Sequence, residues 1–120
     1  MEGIINVTPI KISGRNVPTI FDKLTFNYVS RGGDTFVVEN KTNRNLLLLV
    51  RGGGSDGWVK VKKGTGALAS QNDMIVEVKS GDGAAVLIES GRFMQMDGKY
   101  KGKILIEAKE QETIAVIVFD

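Results

Sequence analysis

From residue 24 onward the chain is written in short runs where apolar and polar residues alternate, each stopped by glycine, aspartate, asparagine or serine. The stops recur every 8 to 12 positions, which leaves room for a strand but not for a helix of ordinary length. Alternation with a period of two puts every second side chain on one face. Strands of this kind must bury that face against another sheet or close on themselves. The expected fold is therefore all-β: a small antiparallel β-sandwich of eight or nine short strands, with jelly-roll-like and barrel-like arrangements as alternatives.

The runs can be placed individually. Leu24 to Ser30 and Thr35 to Asn40 flank Arg31-Gly32-Gly33-Asp34, which reads as a four-residue hairpin loop. Leu46 to Arg51 is apolar on both faces, as expected of a central strand covered on both sides or lying at a subunit contact. A flexible loop, Gly52 to Gly57, then leads into a cleanly alternating strand from Trp58 to Lys63. Met74 to Lys79 and Ala84 to Ser90 flank Ser80-Gly81-Asp82-Gly83, whose Asp-Gly suits the positive φ of a tight hairpin turn. A second Asp-Gly, Asp97-Gly98, is expected to fold Arg92 to Met96 back on Lys99 to Lys101. Lys103 to Ala108 and Thr113 to Phe119 complete the strands, and the helical candidates Thr19 to Lys23 and Ala67 to Asn72 are a turn or two long.

Residues 1–23 read differently. Pro9, Pro18 and Ser13-Gly14-Arg15-Asn16 break any long period, so Ile4 to Val7 and Ile10 to Ile12 are either edge strands or part of an extended arm. The expected division is thus an N-terminal arm or irregular edge segment over 1–23 and a sandwich domain over 24–120.

A chain of 120 residues is the size of one domain and buries roughly two-thirds of its unfolded surface. Its 15 glycines, about twice the usual ~7%, fit many turns between many strands. The first residues lack the basic and long apolar segments of a signal peptide, so a protein made and kept in the cytoplasm is expected. No apolar run approaches the ~18 residues of a membrane span, so no membrane partner is expected. The sequons Asn6-Val7-Thr8 and Asn40-Lys41-Thr42 then carry no glycan.

The chain contains 0 histidines and 0 cysteines. Neither a Ser-His-Asp nor a Cys-His constellation can be assembled, and the commonest metal ligand is missing. Carboxylate pairs would suffice for glycoside hydrolysis, but Glu77, Glu89, Glu107, Glu110 and Glu112 lie among lysines on strands and turns. No enzyme, cofactor or metal is expected. Gly64-Thr65-Gly66-Ala67-Leu68-Ala69 matches a dinucleotide fingerprint, yet Asn72-Asp73 and a strand follow too soon for the helix that motif requires. It reads as a loop between strands.

Residues 41–63 carry Lys41, Arg44, Arg51, Lys60, Lys62 and Lys63 against Asp56 alone. A nucleic-acid footprint is one reading. The preferred one is a solvated strand face, because Lys60 and Lys62 alternate with Val59 and Val61. Phe26, Tyr28 and Phe36 would share one face, either as a stacking platform for bases or as core, and core is preferred. Trp58, beside a glycine-rich loop, is a candidate interface anchor. The candidate partner-binding residues are Arg15, Asn16, Arg51, Trp58, Lys60 and Lys62.

Asn16-Val17-Pro18-Thr19-Ile20, Leu46 to Arg51, and Glu89-Ser90-Gly91-Arg92-Phe93 ahead of a terminal alternating strand occur in this order over nearly the whole chain. In this the sequence resembles small virion proteins of tailed bacteriophages whose genes accompany the major capsid protein. The resemblance implies a head decoration (cement) protein, made in the host bacterial cytoplasm and bound in many copies to the capsid exterior. The implied partner is the phage major capsid protein, with self-association, for instance as trimers, compatible with it. The alternatives are a head–tail or tail component, or a module binding carbohydrate or single-stranded nucleic acid.

Overall fold

In the computed structural model the alternation becomes two facing sheets. The structure describes residues 3–12, 28–40, 45–66, 69 and 71–119. The strands are β1 (Ile4–Val7), β2 (Ile10–Ile12), β3 (Tyr28–Val29), β4 (Thr35–Glu39), β5 (Leu46–Arg51), β6 (Gly57–Val61), β7 (Met74–Val78), β8 (Gly83–Ile88), β9 (Lys103–Ala108) and β10 (Thr113–Phe119). A one-turn helix, α1 (Ser90–Phe93), precedes β9. One sheet, A, has the order β1-β4-β9-β6-β7; the other, B, has the order β2-β10-β5-β8, with β3 also pairing β10.

The inward side chains of the two sheets make one core. Phe36, Val38, Val59, Val61, Ile104 and Ile106 of sheet A face Leu46, Leu48, Ile88, Ile114 and Val116 of sheet B, all essentially inaccessible to water. Fully burying an aliphatic or aromatic side chain of this size is worth about 1.5–3 kcal/mol, so this layer is the main stabilising element. Strand β5 is central, as its doubly apolar sequence requires: it lies between β10 and β8, with Leu46, Leu48 and Val50 inward.

The all-β two-layer architecture agrees with the sequence, but its wiring differs in three ways. First, the sheets are mixed, because β1 pairs parallel with β4 and β2 parallel with β10. The chain crosses from one sheet to the other at Thr8-Pro9, where proline cannot donate to a ladder. Residues 4–12 are therefore edge strands of both sheets, whereas Arg15, Asn16 and the helical candidate 19–23 lie outside the described residues.

Second, two expected hairpins are corners between sheets. Strand β3 pairs β10 in sheet B, while β4 pairs β1 and β9 in sheet A. Strand β7 pairs β6 in sheet A, while β8 pairs β5 in sheet B. At this second corner the left-handed residue is Gly81 (φ 78°), not Gly83 of the Asp-Gly pair, and Gly83 opens β8. At the first corner the Asp34 carboxylate accepts the Gly3 N–H at 2.9 Å and the Arg31 N–H at 2.8 Å, tying β1 to the turn.

Third, 90–93 is helical. Ser90 and Phe93, one turn apart, are both buried, so a helical turn satisfies them where an alternating strand would not. Gly98 does take positive φ (76°), and the loop it belongs to closes Gln95 onto Lys103 through the Gln95 N–H, 2.9 Å from the Lys103 carbonyl.

Candidate functional site

Strand β6 places Trp58 and Lys60 on the outer face of sheet A, and Lys62 follows in phase. Their alternates Val59 and Val61 are fully buried. The spacing of two thus brings three of the six predicted residues together. Lys60 Nζ lies 4.9 Å from the centroid of the Trp58 ring, a cation–π contact. Across the sheet, Lys60 is in register with Glu107 on one side and Ile75 on the other, and Trp58 with Glu77.

Lys62 is held between two carboxylates, Asp73 Oδ2 at 3.1 Å and Glu107 Oε1 at 3.2 Å. Asp73 also accepts the Lys63 backbone N–H at 2.7 Å. That backbone bond first, and Lys62 after it, hold the Asp73 carboxyl below its ordinary range, with burial opposing. The bond to Asp73 first, with help from Glu107 and against burial, holds the Lys62 ammonium above its ordinary range. The depressed Asp73 contributes stability above its ordinary value of 3.8 and loses it as the pH falls through the folded value below that. The raised Lys62 contributes fully below 10.5 and loses it only as the pH rises past its folded value. Both groups are partly exposed, so Asp73→Asn is expected to cost under about 1 kcal/mol at neutral pH. Its urea midpoint should converge on the wild-type one as the pH is taken below 3.8; a gap that persists there would mean the carboxylate charge is not what stabilises.

This face is charge-mixed, with Glu77, Glu107 and Asp73 among the lysines, as the reading of a solvated strand face requires. At one end a groove of about 400 Å³ runs along Trp58 between Asp56, Glu77, Lys79 and Lys109. Arg51 is not part of it: it ends β5 on the opposite, outer face of sheet B.

The outer face of sheet B is apolar. Leu47 and Leu49 are half-buried there, in register with Leu87 and Ala85 of β8 and with Ile117 and Ala115 of β10. The face is closed toward β10, where Ala115 and Ile117 are buried, and open toward β8, where Leu87 is 57% exposed. Val29, in register with Thr113, is 49% exposed on the same side. The double apolar character of Leu46 to Arg51 was the signal for this face in the sequence.

The glycine-rich stretches serve close packing. A Cβ on Gly64 would lie 2.6 Å from the Met94 carbonyl oxygen, and the Gly64 N–H donates to the Arg92 carbonyl at 2.9 Å. Gly64 to Gly66 thus pack on α1 and the connection to β9, and β6 and β7 on either side of the fingerprint-like segment are antiparallel neighbours, not a βαβ unit. Gly57 leaves room for Glu112, whose side chain is fully buried. Glu112 Oε1 accepts the Glu110 N–H at 2.7 Å, and its backbone carbonyl accepts the Ser30 N–H at 2.9 Å. Ser30 Oγ donates to the Glu110 carbonyl as well, so β3 is pinned to the β9–β10 turn.

Among the described residues no group of three or more His, Cys, Asp or Glu is placed to hold a metal ion. No helix among them is long and apolar enough to cross a membrane.

Comparison with protein-family models, with curated proteins and with solved structures finds no match.

Proposed function

We propose that this chain is a non-catalytic structural module that docks on the exterior of an expanded tailed-phage head, in many copies, as a decoration protein. The observation that carries the reading is the one-sidedness of the sandwich. The outer face of sheet A sets exposed Ile4 and Ile75 on opposite edge strands with lysines and carboxylates between them; that of sheet B joins Leu47 and Leu87 in one register row beside Leu49, with Val29 and Arg51 at its end. Apolar surface of that kind on a small domain marks a binding face. The resemblance to small virion proteins supplies the kind of partner, the major capsid protein.

The mechanism is mass action. A domain that binds the expanded lattice and not the unexpanded one stabilises the expanded state by its free energy of binding at every occupied position. Repetition over a symmetric lattice makes modest single-site affinity sufficient.

Co-sedimentation with undecorated expanded heads, and separately with proheads, tests this. Saturable binding to expanded heads alone is expected, weakened about tenfold, or ~1.4 kcal/mol, by Leu49→Lys. Lys60→Glu, on the opposite face, should leave it within about twofold. Absence of binding to either particle would overturn the reading, and equal loss in both variants would move the docking face off sheet B.

A further inference from the structure

The edges of sheet A are β1 and β7, those of sheet B are β8 on one side and β2 with the two-residue β3 on the other, and β8 is unlike the rest. Strand β8 is the longest, with six residues against four in β1, three in β2 and five in β7. It reads Gly-Ala-Ala-Val-Leu-Ile, without a charge or a proline. Soluble proteins ordinarily guard an edge with a lysine, a proline, a bulge or a very short strand; β2 carries Lys11, β7 carries Glu77, and β1, uncharged like β8, is kept to four residues. Among the described residues nothing pairs with the outer side of β8.

The ladder shows which backbone groups that side presents. Gly52 N–H donates to the Asp82 carbonyl at 2.8 Å, one residue before β8. Antiparallel pairs alternate between bonded and non-bonded, so Ala84, Val86 and Ile88 bond to β5. Gly83, Ala85 and Leu87 turn their N–H and C=O groups outward. A Cβ on Gly83 would lie 3.4 Å from the Val50 carbonyl, as expected if that carbonyl accepts from Ala84. The same three residues are the exposed ones of the strand.

We infer that β8 pairs antiparallel with β8 of a second copy of this chain, about a two-fold axis at Val86, joining two copies of sheet B into one continuous sheet. The sequence of the strand selects a second copy. In this register Ala85 lies opposite Leu87 and Leu87 opposite Ala85, large against small on the outer face. Val86 meets itself and Ala84 meets Ile88 on the inner face, and no charge opposes another. The register keeps outer residues with outer residues, and sets the outward N–H and C=O groups of Ala85 and Leu87 against each other. The row from Leu47 to Leu87 then runs on into Ala85 and Leu49 of the second copy. The contact is isologous and closes at two copies. It is small beside a stable interface of about 1,600 Å², so the dimer is concentration-dependent. The inference does not depend on head binding, and its test uses the isolated chain.

Sedimentation velocity of the whole chain over roughly a hundredfold concentration range should show monomer passing to dimer. Leu87→Lys should remain monomeric throughout, while Ile75→Lys on β7, an equally exposed position at 55%, should dimerise like wild type. The chain has 0 cysteines, so Val86→Cys introduces a single thiol. In a non-bonded antiparallel pair its Cα lies about 4.5 Å from its symmetry mate, within disulfide reach. Oxidation should give a covalent dimer from Val86→Cys and none from Ile75→Cys. Monomer at every concentration with no Val86 cross-link, open-ended oligomers, or undiminished dimerisation of Leu87→Lys would each overturn the inference.

Discussion

Phe36→Ala should lower the stability of the domain by about 3–5 kcal/mol, a large part of the 5–15 kcal/mol typical of a folded domain. Phe36 is fully buried in β4, in register with Ile5 of β1 and Ile106 of β9. Truncation removes an aromatic ring from a layer whose neighbours, Val38, Val59, Ile104 and Ile106, are held by their own ladders and cannot collapse into the space. Urea unfolding followed through the fluorescence of the single tryptophan, Trp58, measures the loss. A cost below about 1 kcal/mol would mean that Phe36 is not a core residue. It would also reopen the reading of an aromatic platform, which the fold argues against: Tyr28 belongs to sheet B, paired with Ile114, and Phe36 to sheet A. Phe26 lies outside the described residues.

The same contrast shows how far the sequence could be read. A period of two is a local property, so the strands apart from those expected at Arg92 to Met96 and Lys99 to Lys101, the burial of Val59 and Val61 and the shared face of Trp58, Lys60 and Lys62 were legible. So was the central place of Leu46 to Arg51, read from its apolar residues on both faces. Partners were not legible. Lys62 is held by Asp73 and Glu107, which reach it only because β6 lies beside both β7 and β9. The parallel pairing of β1 and β2 left no local mark either, since a strand joining an edge is written the same way in either direction.

The misread hairpins have a more specific cause. A tight turn between two alternating strands looks the same whether the second strand returns within its sheet or crosses to the facing one. At Ser80 to Asp82 the choice is made by what is already paired: β6 occupies the inner side of β7, and β5 offers β8 a neighbour that is apolar from Leu46 to Val50 in the other sheet. The predicted faces are a related case. Spacing put Lys60 and Lys62 together, but Arg51 went to the opposite side of the molecule because the loop after it changes sheets.

That loop, expected to be flexible, gives the second large effect: Gly52→Ala should destabilise by about 3 kcal/mol, whereas Gly54→Ala, two residues on, should be neutral or stabilising by up to about 1 kcal/mol. A Cβ on Gly52 would lie 2.3 Å from the Lys79 carbonyl oxygen, 3.1 Å from its carbon and 3.5 Å from Gly81 N. All three are backbone atoms of the β7–β8 corner, so nothing flexible can swing aside. The corner is also fixed from the other side, because Ser80 N–H donates to Asp56 Oδ1 at 2.8 Å and Ser80 Oγ to the Gly53 carbonyl at 3.0 Å. Gly54 has no atom within 4 Å of a would-be Cβ and no positive φ, so alanine there only restricts the unfolded chain. Thermal unfolding of the two variants beside wild type decides it, and equal midpoints would mean the glycines are a flexible tether after all. The Gly52–Asp82 hydrogen bond that sets the ladder of β8 runs through the same contact. Gly52→Ala should therefore also weaken β8-mediated dimerisation, at concentrations where Gly54→Ala still dimerises as wild type does.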